Sequence, residues 1–179
     1  MMKLSGKIAF AGIICCLAVA CMLLTVIPTM EIGLPALAGC LLVLPTIELG
    51  VRYGFLCYGA TAFLTFLLAP SLEAKLLFVL FLGYYPVLKA VIERLPSPVL
   101  QWVVKLALFN LMISAAYWLL IHVFTAVPTD DFVLFGVYLP AVLLLVGNIV
   151  FIVYDIALTR VISAYLRFGQ SRLRKMFRF

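Results

Sequence analysis

Charged side chains are scarce in this sequence of 179 residues, of which 11% are charged, seven are acidic and one is histidine. A soluble domain is about one quarter charged and about half apolar, whereas 67% of this chain is apolar and its mean hydropathy is +1.28. A water-soluble fold of this size leaves too much surface exposed to hide that apolar content. The composition therefore excludes a cytosolic enzyme domain, a secreted disulfide scaffold and a disordered tail, and it indicates that lipid is the main solvent.

Motifs of enzyme chemistry are missing as well. The sequence contains no HExxH, GxSxG or P-loop pattern and no pair of carboxylates in the middle of an apolar segment, so the usual hydrolase, nucleotide-binding and metalloenzyme signatures do not apply. With one histidine and scattered acidic residues, the chain offers no set of catalytic metal ligands. We expect no enzyme activity, no cofactor and no nucleic-acid partner.

The cysteines all fall inside apolar runs and have no histidine or cysteine partner at metal-ligand spacing; they are Cys15, Cys16, Cys21, Cys40 and Cys57. Buried cysteine behaves as a small hydrophobic residue, and packing within helices is the expected role. The run that ends at Cys21 loosely resembles a lipoprotein processing site. It has Ala18 where leucine is usual, however, and the apolar run continues to Leu24, which favours a retained membrane helix.

Turn and charge signals divide the apolar sequence into six segments of about the length that crosses a membrane. The predicted segments are 8–27, 32–49, 52–69, 73–94, 99–126 and 132–165. The predicted fold is all-α, with a six-helix transmembrane bundle over residues 1–165 and a basic amphipathic tail at 166–179. We expect the tail to lie on anionic lipid headgroups, with docking of a cytoplasmic partner as the alternative. The sequence leaves open whether the chain forms a loop or a kink near Gly50.

The basic residues support a cytoplasmic location for both termini. If both ends lie inside, every lysine and arginine except Lys75 falls on the inner side of the six predicted segments, as the positive-inside rule requires. The sequence therefore predicts a multi-pass cell-membrane protein with both termini in the cytoplasm.

Polar residues within apolar segments are costly and tend to mark a function or a specific contact. Asn110, Trp118 and His122 share one helical face, and Tyr84 and Tyr85 stand beside a helix-distorting proline. Aromatic walls with a few amide and imidazole groups suit a small heterocyclic ligand. The candidate ligand-binding residues are Tyr84, Tyr85, Asn110, Trp118, His122 and Asn148. An equally weighted alternative places Trp118 and His122 in the interfacial aromatic belt and has the asparagines bond across helices.

A second polar set lies near the predicted cytoplasmic side and consists of Glu48, Arg52, Lys89, Lys105 and Asp155. Long basic side chains at helix ends extend to the interface and pair with nearby carboxylates. Glu48 with Arg52 and Lys89 with Glu93 are spaced for such pairs. Interfacial anchoring is the favoured role, and a docking surface for another subunit is the alternative.

Small residues recur every three or four positions in the first segment, at Ala9, Gly12, Cys16 and Ala20. We call these four residues the small-residue stripe. Such stripes let helix backbones approach closely, which drives helix association in lipid. A lone protein of this size without a nucleotide site or a mid-membrane carboxylate would need a partner to drive uphill transport.

The six-segment pattern, the small-residue stripe, and the run of Pro45, residues 50–54 and Gly59 resemble the substrate-binding S-components of energy-coupling factor (ECF) vitamin transporters. The resemblance implies capture of a small, vitamin-like molecule from outside the cell. It also implies a transmembrane coupling subunit and two cytoplasmic ATPases as partners, with the small-residue stripe docking the coupling subunit. The alternative from another class is a membrane scaffold without transport activity, similar in size and helix count to the rod-shape protein MreD.

Overall fold

Helices form nearly all the regular structure of the residues that the computed structural model describes, which are 4–122, 133–134 and 137–169. A two-residue antiparallel pair, β1 with β2, is the exception within these ranges. The all-α class predicted from the sequence is therefore confirmed. In chain order the elements are α1 (Leu4–Leu23), α2 (Gly33–Leu41), α3 (Val43–Glu48), α4 (Val51–Leu68), α5 (Leu72–Leu77), α6 (Tyr85–Ile92), α7 (Pro98–His122), β1 (Val133–Leu134), β2 (Val137–Tyr138) and α8 (Leu139–Ala164). Short 3₁₀ turns follow α1, a π-helical segment at Phe78–Leu82 joins α5 to α6, and another at Tyr165–Gly169 follows α8.

Five helical stretches of the described chain are long and apolar enough to cross a membrane. They are Leu4–Val26, Val51–Leu68, Leu72–Ile92, Pro98–Ala116 and Leu144–Arg167, and they overlap five of the six predicted segments. Their outer faces carry large exposed apolar side chains, such as Leu56, Phe63 and Leu111, which water would disfavour and lipid would solvate. These helices fit a multi-pass membrane protein.

The second predicted segment, 32–49, differs from the prediction because it is divided into α2 and α3, and the stretch Gly33–Glu48 is shorter than a full span. The break falls at Leu42. Pro45 cannot donate a backbone hydrogen bond, and a proline is tolerated only in the first turn of a helix, so the chain restarts a helix at Val43. The described residues contain five helices long and apolar enough to span a membrane, and the six-span bundle stays a prediction.

The segment near Gly50 is a true turn between two helices. Gly50 has a φ of +101° and directly precedes α4. That backbone conformation strongly favours glycine, because a Cβ would be strained there. The turn ends α3 at Glu48 and lets α4 begin at Val51, close to the predicted boundary.

The described chain divides into two compact units. Unit 1 comprises Met1–Arg94 and Leu158–Phe179, and unit 2 comprises Leu95–Ala157. In unit 1, α1 packs against α2 and α4, and α3 packs against α4. The core of unit 1 is rich in small side chains; its buried members are Ala18, Met22, Ala38, Leu42, Cys57, Ala62, Ala69, Ala74 and Phe78. Small residues let neighbouring helices approach closely where lipid offers no hydrophobic drive for association.

None of the five cysteines, all of which lie within the described residues, forms a disulfide. Cys57 is buried in the core of unit 1, and the Cys15 thiol donates a weak hydrogen bond to the Cys57 carbonyl at 3.7 Å. The burial of Cys57 matches the small-hydrophobe role expected from the sequence, whereas Cys16 is exposed.

The last residue before the predicted tail, Tyr165, is held within unit 1. The Tyr165 hydroxyl donates to Oε1 of Glu48 at 2.9 Å. Residues 170–179, which make up most of the predicted basic tail, lie outside the described residues. The lipid-binding role of the tail therefore stays a prediction.

Candidate functional site

The six predicted ligand-binding residues are divided between the two units. Tyr84 and Tyr85 belong to unit 1, whereas Asn110, Trp118, His122 and Asn148 belong to unit 2. The side chain of His122 lies outside the described part of the structure. Each group is best understood within its own unit.

In unit 2, Asn110 and Asn148 bond to each other. Nδ2 of Asn110 donates to Oδ1 of Asn148 at 3.0 Å, and Nδ2 of Asn148 donates to Oδ1 of Asn110 at 2.9 Å. Each amide also donates to the backbone carbonyl four residues earlier, at Leu106 and Leu144, at 2.8 Å in both cases. An amide group has two N–H donors, so all the side-chain donors of both asparagines are already engaged in hydrogen bonds within the protein. This is the cross-helix bonding that the alternative hypothesis expects.

Two further contacts continue this pairing along α7 and α8. Lys105 Nζ lies 3.1 Å from Oδ2 of Asp155, and the Phe109 and Phe151 rings stack at 4.8 Å with an interplanar angle of 9°. Lys105 and Asp155 are only 4% and 3% exposed. Sequence reasoning placed these two charges at one depth but did not pair them. An antiparallel alignment of the two segments that pairs Asn110 with Asn148 would also have placed Lys105 close to Asp155.

Trp118 lies on a more exposed part of α7, where 57% of its surface is accessible, and Ser114 one turn earlier is exposed as well. The helical face predicted to carry both Asn110 and Trp118 therefore runs from a half-buried amide to an exposed indole. An exposed tryptophan is typical of the aromatic belt at a membrane interface.

In unit 1, Tyr84 and Tyr85 lie where the π-helical segment gives way to α6. A π-helical turn is uncommon and is found frequently at functional sites. Pro86 stands in the first turn of α6, where its missing N–H costs least, and the helix is interrupted at residues 83–84. The distortion that the sequence predicted beside Pro86 is therefore present. It turns two consecutive aromatic side chains toward the interior of unit 1, where Tyr85 is fully buried.

These tyrosines belong to an aromatic cluster. The Tyr84 ring meets the Tyr58 ring of α4 edge-on at 5.7 Å and the Phe81 ring at 6.4 Å, and Tyr85 stacks on Phe81 at 5.0 Å. Phe78 completes the cluster at 6.5 Å from Tyr58. The Tyr58 hydroxyl donates to the carbonyl of Val79 in the π-helical segment. Edge-on and offset rings at these distances are favourable and hold α4 to the segment between α5 and α6.

The buried hydroxyl of Thr61 lies beside the Cys15 thiol, whereas the buried hydroxyls of Thr65 and Tyr84 in unit 1 have no hydrogen-bond partner among the described residues. Most buried polar atoms in native structures find a partner, and an exception calls for an explanation such as a water or a ligand. Tyr84 was a predicted ligand residue, whereas Thr61 and Thr65 were not. Two threonines four residues apart in the middle of an apolar helix are the signal that could have identified them.

The small-residue stripe faces outward. Ala9, Gly12, Cys16 and Ala20 are all exposed, and no atom lies within 4 Å of the place where a Cβ on Gly12 would stand. The opposite face of α1 is buried in unit 1; its buried residues are Phe10, Ile14, Ala18, Val19 and Met22. The stripe is therefore a surface of α1 that the described chain leaves uncovered.

The second polar set contains one of the ion pairs that the sequence suggested. Lys89 is fully buried, and its Nζ lies 2.8 Å from Oε1 of Glu93. Among the described residues, no three histidine, cysteine or acidic side chains are grouped as metal ligands would be.

Over the part of the chain that the structure describes, the fold is all-helical, with five helices long and apolar enough to cross a membrane and an aromatic cluster in unit 1. Comparisons with protein families, with curated proteins and with solved structures find no match to this chain.

Proposed function

We propose that the protein is an integral membrane subunit that binds a small molecule from outside the cell for uptake driven by partner subunits. The observation that supports this most directly is the buried hydroxyl of Tyr84, which has no partner in the described structure and lies in an aromatic cluster. Small-molecule sites are mostly apolar and aromatic, with few polar groups that fix the orientation of the ligand. A ligand with a hydrogen-bonding edge would satisfy this hydroxyl and stack against the rings.

The resemblance to ECF S-components agrees with this proposal in two respects. A subunit that captures a solute but lacks a nucleotide site needs another protein to supply energy. The small-residue stripe offers such a protein a face on which helix backbones can approach closely. We therefore propose a transmembrane coupling subunit as the occupant of the stripe, with ATPases bound to that subunit.

The solute-binding part of the proposal is tested by replacing Tyr84 with phenylalanine. Purified protein is heated with a panel of vitamins, nucleobases and amino acids, and a binder at 100 times its Kd should add about 2.7 kcal/mol of stability. We expect Tyr84→Phe to raise the Kd of that binder by about fivefold to a hundredfold, because a hydrogen bond to a buried group contributes about 1–3 kcal/mol. The melting temperature of the free variant should not fall, since the lost hydroxyl has no partner.

Tyr58→Phe is the matched control. It removes a hydroxyl that bonds to the Val79 carbonyl, so it should lower stability and leave the affinity for the solute nearly unchanged. If no compound in the panel stabilises the wild-type protein, the solute-binding role is contradicted.

The partner role is tested at Cys16, which is exposed. Cys16→Leu should abolish co-purification with the transmembrane partner, because a large side chain keeps the helix backbones apart, while solute affinity stays unchanged. Cys16→Ala keeps the residue small and should retain the partner. If both Cys16→Leu and Gly12→Leu still co-purify with the partner, the small-residue stripe is not the docking surface.

The membrane scaffold remains the second candidate, and one observation favours it. Asn110 and Asn148, which the pocket hypothesis needs as ligand contacts, satisfy each other and their own helices. A scaffold with a solidly packed interior would show this pairing. The heating experiment separates the two candidates, since a scaffold responds to no solute.

A further inference from the structure

We propose that Cys15 and Cys57 form a reversible disulfide bond between α1 and α4, and that a lipid-soluble quinone is the class of oxidant that makes it. Both residues are free thiols in the structure. The bond joins the helix that carries the small-residue stripe covalently to the core of unit 1. It is independent of the proposed solute-binding function.

The two thiols meet where α1 packs against α4. The Cys15 thiol donates to the backbone carbonyl of Cys57 at 3.7 Å, and the two side chains are in hydrogen-bond contact with each other. The sulfur atoms of a disulfide are about 2 Å apart, so side chains that already touch need only a small movement to bond. The residues are 42 positions apart in the chain, so their contact is a product of the fold.

The two cysteines differ in exposure, which gives them different roles in the reaction. Cys15 is half-buried, whereas Cys57 is only 4% exposed. An oxidant therefore reaches Cys15 first, and Cys57 reacts from inside the core as the resolving thiol. Redox-active cysteines are often placed beside such a resolving cysteine.

A hydroxyl group lies beside the sulfur that reacts first. The side chain of Thr61, one helical turn after Cys57, is fully buried and lies against the Cys15 thiol. The thiolate is the reactive form of cysteine, and a hydrogen bond to an ionised acceptor is stronger than one to a neutral acceptor. A hydroxyl donor at this place therefore stabilises the charge that develops on the Cys15 sulfur.

The position of the pair along the helices selects an apolar oxidant. Cys15 lies near the middle of the apolar stretch Leu4–Val26, and Cys57 lies within the stretch Val51–Leu68. Bringing a charged peptide such as oxidised glutathione into lipid is costly, whereas a quinone dissolves there. In the reaction both S–H bonds break and one S–S bond forms. The two electrons and two protons pass to the two oxygens of the quinone, which leaves as a hydroquinone.

The test treats the full-length protein with decylubiquinone in vesicles of phosphatidylethanolamine and phosphatidylglycerol. Every ring position of this quinone is substituted, so no thiol adds to it permanently. The remaining thiols are then alkylated, and the linked peptides are identified by mass spectrometry. We expect Cys15 and Cys57 to be lost together as one cross-linked pair, and dithiothreitol to restore both. Oxidised glutathione should act more slowly by about tenfold or more.

Matched variants separate this pair from the other thiols. Cys15→Ala and Cys57→Ala should each abolish the cross-link. Cys16→Ala removes the exposed thiol next to Cys15 and should retain the cross-link. Thr61→Val should slow its formation by about tenfold or more without preventing it, because a hydrogen bond to a charged group is lost.

The cross-linked protein should also melt about 5–10 °C higher than the reduced protein, because the bond constrains a long loop of the unfolded chain. This measurement asks whether the sulfurs bond in their native positions. A lower melting temperature after oxidation would show that α1 and α4 must distort before the thiols can join, and the proposal would be wrong.

The linked peptides are mapped on the wild-type protein, so the main result does not depend on the folding of any variant. No loss of thiols, or a cross-link between other cysteines, would overturn the assignment of Cys15 and Cys57. Equal or faster oxidation by oxidised glutathione would overturn the quinone class. An unchanged rate for Thr61→Val would overturn the role given to its hydroxyl.

Discussion

Replacing Asp155 with leucine is expected to lower the free energy of unfolding by about 3–5 kcal/mol, the cost typical of breaking a buried ion pair from one side. Asp155 and Lys105 are almost completely buried and lie 3.1 Å apart. Removal of the carboxylate leaves the Lys105 ammonium in an apolar environment without its counter-charge. Its position over the Trp102 ring, 5.3 Å from the ring centroid, offers a weaker compensation of about 0.5–2 kcal/mol.

The double variant Lys105→Met/Asp155→Leu supplies the decisive comparison. Replacing a whole buried pair by apolar side chains of similar size is often neutral or stabilising, so the double variant should recover most of the stability lost by Asp155→Leu. Unfolding in detergent micelles, followed by heat or denaturant for all four proteins of the cycle, measures the coupling. If the loss of stability in the double variant equals the sum of the losses in the two single variants, the pair has no energetic coupling.

Gly54→Ala should destabilise unit 1 by about 1–3 kcal/mol, the usual cost of adding a group to a well-packed core. A Cβ on Gly54 would stand 2.3 Å from Oγ1 of Thr46 and 3.0 Å from a methyl carbon of Val87. The backbone of α4 therefore lies directly against α3 and α6. The added methyl group must displace Thr46, whose hydroxyl is held by the carbonyl of Leu42.

Gly59→Ala is the control, because no atom lies within 4 Å of a Cβ at that position of the same helix. It should be neutral or slightly stabilising, since alanine is the better helix former. Adding Thr46→Ala to Gly54→Ala should restore part of the lost stability by removing the clashing oxygen. Equal melting temperatures for Gly54→Ala and Gly59→Ala would show that α3 and α4 are not packed this closely.

The sequence predicted the spanning helices well because helix formation in lipid depends on local properties of the chain. Long apolar runs ended by proline, glycine and charge gave the boundaries of α1 and α4 to within a few residues. The same reasoning overestimated the length of the continuous helix in the second segment. Apolar content alone does not reveal that the helix breaks at Leu42, ahead of Pro45.

The candidate site was only partly predictable. Tyr84 and Tyr85 were identified because a proline beside two aromatic residues predicts a local distortion, and that distortion is present. The spacing of Thr61 and Thr65 is visible in the sequence, but whether a threonine bonds back to its own helix depends on its rotamer and its neighbours, which the sequence does not show. Here the neighbour is Cys15, from a helix far away in the chain.

By itself, the order of amino acids determined that this chain is helical and suited to lipid, since apolar content and breaks in hydrophobic runs are properties of the chain before it folds. Only the tertiary structure decided which polar groups would be paired. The rotation and register of α7 against α8 join Asn110 to Asn148 and Lys105 to Asp155. The packing of α1 against α4 brings the Cys15 thiol to the carbonyl of Cys57. These outcomes depend on contacts between residues distant in sequence, which no local pattern specifies.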